Sequence, residues 1–137
     1  MSKMKIDVYS IIKPEVEKLK TLGFKTASLD CRLLLSQILE KANPVYTHEQ
    51  VNISKNEIIN FQTLVKQRQK GKPVSRILNK RNFWKREFML NGDTLDPRPD
   101  SEILIEAVLE HFPNKSQSLK ILDLGSGTGC LGLSLSE

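Results

Sequence analysis

Apolar positions in the first half of the chain recur at helical spacing. Ile11, Ile12, Val16, Leu19 and Leu22 fall near one face of a helix that Asp7 can cap and Gly23 can end in a left-handed turn. Pro14 lies inside that span and predicts either a kink or a shorter helix with Pro14 in its first turn. A second helix is predicted from Ser28, with Leu29, Leu33, Leu34, Leu35, Ile38 and Leu39 forming a stripe broad enough for burial on more than one side. Asn43-Pro44 breaks the pattern, because the residue before proline is pushed out of the helical region. An irregular or one-turn segment is expected through Val51. Ser54-Lys-Asn-Glu57 then has the form of a capping box. Ile58, Phe61, Leu64 and Val65 follow at helical spacing, with Gly71 and Pro73 as a stop. Together these elements predict a small helical bundle.

The period changes beyond that point. Asn82-Phe-Trp-Lys-Arg-Glu-Phe-Met-Leu-Asn-Gly92 has two short apolar runs around a charged centre, which predicts a hairpin or extended pair. Thr94 to Pro99 is expected to be irregular, since Pro97 and Pro99 flank Arg98. Asp100 or Ser101 is placed to cap a helix with Ile103, Leu104, Ala107, Val108 and Leu109 on its apolar side. Lys120-Ile-Leu-Asp-Leu124 reads as a short buried strand running into glycine. No internal repeat interrupts this order.

Composition adds bounds. The chain has 137 residues, 39% hydrophobic and 27% charged, which suits a folded protein with its own core. No apolar run approaches the roughly 18 residues a membrane span requires. The first residues lack an apolar signal region, so the cytoplasm is the expected location. Cys31 and Cys130 lie far apart without metal-ligand spacing and are expected to be reduced, with no metal site. Charge is unevenly spread. Residues 55–90 hold ten basic and two acidic side chains, whereas residues 91–137 hold three and eight. The basic segment is either a solvated helix face and linker or a contact surface for an acidic protein or nucleic acid, with Lys66, Arg68 and Lys70 as candidates.

Candidate chemistry is concentrated in Asp123-Leu-Gly125-Ser-Gly127-Thr-Gly129-Cys-Leu-Gly-Leu. Alternate glycines let the backbone turn tightly and approach a ligand that a Cβ would exclude. The first amides of the following helix would face that ligand with the positive end of the helix dipole. The order is D-x-G-x-G-x-G, not the dinucleotide fingerprint GxGxxG. It resembles motif I of the class I methyltransferases. By that resemblance Gly125, Ser126, Gly127, Thr128 and Gly129 line S-adenosylmethionine, and Asp123 approaches its amino end.

The flanks extend the likeness. Asp30-Cys-Arg-Leu-Leu-Leu, Gly71-Lys-Pro-Val, Asn82-Phe-Trp-x-x-Glu-Phe and Pro97-Arg-Pro-Asp-Ser-Glu102 precede the glycine loop in order. Together they resemble the release-factor glutamine methyltransferases, the HemK/PrmC-like family, over essentially the whole chain. The family usually reads Pro-Arg-Pro-Glu-Thr-Glu at 97–102 and carries glycine where this chain has Asn79 and Lys85. The resemblance implies an α-helical N-terminal bundle, a short β-hairpin connector and the truncated start of an α/β Rossmann-like class I methyltransferase domain. The corresponding boundaries are 1–75 for substrate recognition, 76–96 for the hairpin or linker, and 97–137 for the incomplete S-adenosylmethionine-dependent domain. It places Arg98, Pro99 and Glu102 beside the active-site cleft. A purely local role for Arg98, pairing with Asp100 or Glu102, is the alternative.

The implied activity is methyl transfer to the side-chain amide of the glutamine in the Gly-Gly-Gln motif of peptide chain release factors, with the release factor as protein partner. The family's Asn-Pro-Pro-Tyr segment, which holds that amide, does not occur here. The catalytic residues are therefore unassigned, and the chain by itself is expected to be an inactive piece of a longer enzyme. Two other functions stay open: a methyltransferase acting on nucleic acid (an adenine-amino or tRNA enzyme), and a non-catalytic binding module. Residues 1–75 are expected to fold as a bundle, with those beyond about 115 poorly supported, because parallel strands need helices on both faces.

Overall fold

The computed structural model describes residues 3–114 and 116–136. The chain divides into two compact units, Met1–Leu78 and Asn79–Glu137.

The first unit contains strand β1 (Met4–Asp7), helices α1 (Val8–Thr21) and α2 (Ala27–Ile38), strand β2 (Gln50–Ile53), and helices α3 (Lys55–Gln69) and α4 (Val74–Leu78). Asp7 caps α1, its carboxylate accepting from the Tyr9 amide at 2.8 Å. The helix runs through Pro14 and ends in a Schellman turn. There Gly23 has φ +87 and donates to Lys20, while Phe24 donates to Leu19. Val8, Ile12, Val16 and Leu19 form its buried stripe, whereas Leu22 is exposed. The second helix opens at Ala27 rather than Ser28, and Thr26 at its N-cap makes no capping bond. Instead the Thr26 hydroxyl donates to Asp30 at 3.1 Å. Leu34 and Leu35 are buried and Leu29 is exposed, so the stripe is narrower than its leucines suggested.

Two features depart from the predicted elements. First, β1 and β2 form an antiparallel pair, with Met4 opposite Ile53 and Asp7 opposite Gln50. Val51 and Ile53 point into the core while Gln50 and Asn52 face solvent. Four residues are too few to impose a readable alternation, and their partner is more than 40 positions away. Second, α4 follows the stop at Gly71, with the Pro73 carbonyl accepting from Arg76 and Ile77. The capping box at α3 forms in full. Ser54 Oγ accepts from the Glu57 amide at 3.2 Å, and Glu57 Oε2 accepts from the Ser54 amide at 2.7 Å. The core gathers Val8, Ile12, Val16, Leu19, Cys31, Leu34, Leu35, Ile53, Phe61 and Val65. Burying each of the larger aliphatic side chains contributes roughly 1.5–3 kcal/mol.

The second unit begins with an antiparallel hairpin, β3 (Lys80–Phe83) and β4 (Arg86–Met89), turning on Trp84 and Lys85. A 3₁₀ turn at Pro99–Ser101 leads into helix α5 (Glu102–His111), and a short helix α6 (Cys130–Leu135) closes the described residues. Phe83, Phe88, Ile105 and Cys130 are its buried cluster, with Trp84, Leu109, Leu131 and Leu135 packed around them. Phe83 and Phe88 meet edge to face, with centroids 6.3 Å apart.

Three expectations are corrected in this unit. Neither Asp100 nor Ser101 caps α5 with its side chain, because the 3₁₀ turn over Pro99–Ser101 occupies the entry. The buried residue of α5 is Ile105, whereas Ile103 and Leu104 are exposed. Lys120–Leu124 is not a buried strand. Leu122 and Leu124 are 81% and 84% exposed, and among the described residues no strand pairs with this segment. A strand exists through its ladder, and an apolar run without a neighbour keeps its backbone groups in water.

Candidate functional site

The glycine loop joins Lys120–Leu124 to α6. Gly125, Gly127 and Gly129 have φ of +73°, +54° and +72°, the left-handed region that residues with a Cβ rarely enter. A Cβ at Gly125 would meet nothing within 4 Å, and one at Gly127 only the Gly125 carbonyl at 3.9 Å. Conformation, not crowding within the chain, therefore accounts for glycine at these alternate positions. The open space beside the loop is what a ligand-cradling backbone requires. The Gly129 amide donates to Ser126 O at 2.7 Å, closing the turn, and Leu133 donates to Gly129 O to start α6. Ser126 is exposed and Thr128 half-buried.

Asp123 folds back toward the helix rather than away from it. Its Oδ2 accepts from the Gly132 amide at 3.4 Å, and a Cβ at Gly132 would sit 3.6 Å from that oxygen. Asp123 also lines a cleft of about 510 Å³, together with Val108, Leu109, Phe112, Leu119, Ile121, Gly132 and Leu135. This volume lies within the range of small-molecule pockets, and among the described residues Asp123 is its one acidic wall residue. A sulfonium amino acid carries an ammonium that such a carboxylate could hold. The fold gathers Asp123 and Gly132 at the cleft, and Gly125–Gly129 are not among its lining residues.

Pro97 is buried, and Arg98 and Pro99 are exposed. Among the described residues no ion pair joins Arg98 to Asp100 or Glu102, which corrects the local pairing considered for it. Glu102 is taken up elsewhere: its Oε1 accepts from the Trp84 amide at 2.9 Å, tying the hairpin tip to the first turn of α5. None of Arg98, Pro99 and Glu102 lines the cleft beside Asp123. The Trp84 backbone contact and the part played by Gly132 were not signalled by the sequence, since both depend on chain segments meeting at a distance.

Among the basic candidates of α3, Arg68 is an internal residue. Its Nε donates to Asp30 Oδ2 at 2.7 Å, and its guanidinium lies 4.1 Å from the Phe24 ring centroid. The pair is largely buried, so Arg68 holds α2 to α3 and does not belong to a docking face. Lys66 and Lys70 remain exposed. Cys31 and Cys130 are both buried and unbridged. Burial, reinforced by Glu15 and Asp30, pushes the Cys31 thiol up to about 12, which keeps it protonated and unreactive. Among the described residues no cluster of three potential metal ligands occurs, and no helix is long and apolar enough to cross a membrane.

Residues 15–78 match the family model of the PrmC N-terminal domain. A release factor glutamine methyltransferase of Aliivibrio fischeri is 33% identical over 135 residues, 98% of this chain and 47% of the relative. A release factor glutamine methyltransferase of Shewanella oneidensis is 42% identical over 114 residues, 82% of this chain and 39% of its own length. The chain belongs to the release factor glutamine methyltransferase family. A bifunctional methyltransferase of Rickettsia conorii is also similar, 29% identical and covered to 30% of its length. The chain thus spans less than half of each of these relatives of the release factor glutamine methyltransferase family. Its match to the PrmC N-terminal domain falls entirely within the first compact unit.

Proposed function

We propose that this chain carries a protein-docking helical unit and the methionine-binding loop of an S-adenosylmethionine-dependent methyltransferase. The acceptor is the glutamine side-chain amide in the Gly-Gly-Gln motif of a peptide chain release factor. The single observation that carries the cofactor assignment is the loop Asp123–Gly129, in which three glycines adopt left-handed φ and Asp123 turns toward the start of α6. Asp123 is the candidate partner of the cofactor's ammonium; Gly125, Gly127 and Gly129 supply backbone without a Cβ, and Ser126 and Thr128 between them complete the lining. The names of the Aliivibrio and Shewanella relatives support the release factor as acceptor. The cytoplasm, where release factors act, and a Rossmann-like completion of the second unit belong to the same proposal.

An amide nitrogen is a poor nucleophile, because its lone pair is delocalised into the carbonyl. Transfer to it needs acceptors that orient the N–H groups in a dry pocket in line with the methyl. None of the described side chains is assigned that task, so we expect cofactor contact without turnover from these residues alone. The test is calorimetric titration with S-adenosylmethionine of this chain, and of the chain joined to the C-terminal part of the Aliivibrio fischeri relative. Binding by the joined protein, weakened at least about tenfold by Asp123→Ala or Gly127→Val, is the expected result. Binding by neither protein would overturn the cofactor assignment.

A further inference from the structure

The hairpin of the second unit turns on two residues that local chemistry does not favour. Two-residue loops prefer Asn-Gly or another glycine pair where φ is positive. Here the left-handed residue is Trp84, with φ +55°. Holding a bulky residue in that region costs about 1–3 kcal/mol and persists only where the surroundings over-determine it. They do so at this tip. The Trp84 amide donates to Glu102 Oε1 at 2.9 Å, and the half-buried ring packs on the Phe83, Phe88 and Ile105 cluster. The Lys85 ammonium stands 5.8 Å from the ring centroid and is exposed.

Glycine would relieve the backbone strain at this position but would forfeit the packing of the ring on the cluster. The arrangement provides instead a fixed aromatic surface with a cation beside it at the end of a strand pair. The strands around it are basic, with Lys80, Arg81, Lys85 and Arg86 against Glu87, which is paired with Lys80 at 3.1 Å. Of the α3 residues that first suggested a docking face, Arg68 is already spent on Asp30 and Phe24. A rule broken locally, with its strain held by a dedicated carboxylate, is the pattern expected where a surface serves recognition.

We propose that the hairpin tip, Trp84 with Lys85, is a contact for an acidic segment of the protein substrate, and that Glu102 is the positioning residue that holds the tip in place. That the partner is a protein rests on the methyl-transfer proposal above; the anchored tip does not. Glu102 acts through the Trp84 amide.

Trp84 is the sole tryptophan of the chain, so its emission reports on the tip directly. The experiment titrates the 137-residue chain with a purified bacterial peptide chain release factor and follows that emission. The expected result is a change in Trp84 emission with an affinity that Lys85→Glu weakens about tenfold or more, while Lys66→Glu with Lys70→Glu changes it less than about twofold. Glu102→Ala should weaken binding similarly and speed exchange of the Trp84 amide at least about tenfold, leaving the Leu90 amide, bonded to Asn79 at the other end of the hairpin, unchanged. Glu102→Gln keeps an acceptor oxygen and should restore both readouts, which separates positioning from a general loss of folding.

Loss of binding in the α3 pair but not in Lys85→Glu would overturn the tip as the contact. Unchanged affinity and unchanged Trp84 exchange in Glu102→Ala would overturn the positioning role. Emission changes with single-stranded RNA but not with the release factor would overturn the protein partner. Failure to bind the factor, beside successful cofactor binding by the joined protein, would sink the tip proposal alone. Failure of cofactor binding would sink the methyl-transfer proposal, whatever the tip does.

Discussion

Asn79 holds φ +53°, and its carbonyl accepts the Leu90 amide at 2.8 Å where the hairpin closes. Asparagine is among the few residues with a Cβ that enter this region routinely, because its short polar side chain can bond locally. The resemblance read from the sequence sets glycine there, and asparagine keeps the backbone conformation while changing the residue. At Lys85, the other position where that resemblance sets glycine, the left-handed residue is its neighbour Trp84. The two departures are therefore unequal: one preserves a turn and the other accompanies a strained tip. Asn79→Gly is expected to leave stability within about 0.5 kcal/mol, whereas Asn79→Val should lower it by about 1–2 kcal/mol. Urea unfolding of the two variants checks this, and equal midpoints would show that Asn79 does not need the left-handed region.

At the level of elements, the start of α3 is the best defined. Ser54 and Glu57 satisfy each other's backbone amides, and Lys3 reaches Glu57 Oε1 at 2.9 Å. The Ser54 hydroxyl, then the Ser54 amide and Lys3, hold the Glu57 carboxyl down at about 2, against an ordinary 4.5. A carboxyl lowered in the folded state stabilises above its unfolded value, and that contribution is lost as pH falls through the folded value. The window for Glu57 thus runs from 4.5 down to about 2. Wild type and Glu57→Gln should differ in urea midpoint near about pH 7 and converge near about pH 2. A difference that stays constant across this range would show that the charge of Glu57 does not stabilise the cap. The short strands β1 and β2 lack such local signals and owe their existence to each other.

On the scale of the whole molecule, the two units differ in how well their apolar residues are covered. The first has a continuous core across three helices and a strand pair. The second leaves Ile103, Leu104, Leu122 and Leu124 exposed around a small cluster. Exposed apolar segments without backbone partners open at little cost. Amides of Ile121, Leu122 and Leu124 are therefore expected to exchange within about tenfold of the unprotected rate, while those of Phe61 and Val65 are slowed by several orders of magnitude. Hydrogen exchange read by mass spectrometry or NMR checks this. Uniform protection across 120–135 would contradict it.

Sequence alone determined what short-range physics can determine. The apolar stripes of α1 and α3, the capping box, the left-handed glycines after two helices and the polar hairpin centre all depend on residues within a few positions of each other. The same holds for the loop Asp123–Gly129, where glycine at alternate positions is by itself a local signal for positive φ. Tertiary structure decided the rest, because each remaining feature needs two distant segments to meet. The β1–β2 pair joins residues more than 40 apart. Arg68 is withdrawn from the surface by an aspartate 38 residues away, and Glu102 is claimed by an amide 18 residues before it. The apolar run at 120–124 marks the boundary between the two kinds of information. Its composition is that of a buried strand, but burial and pairing are supplied by neighbours, and no residue can encode its neighbours by itself.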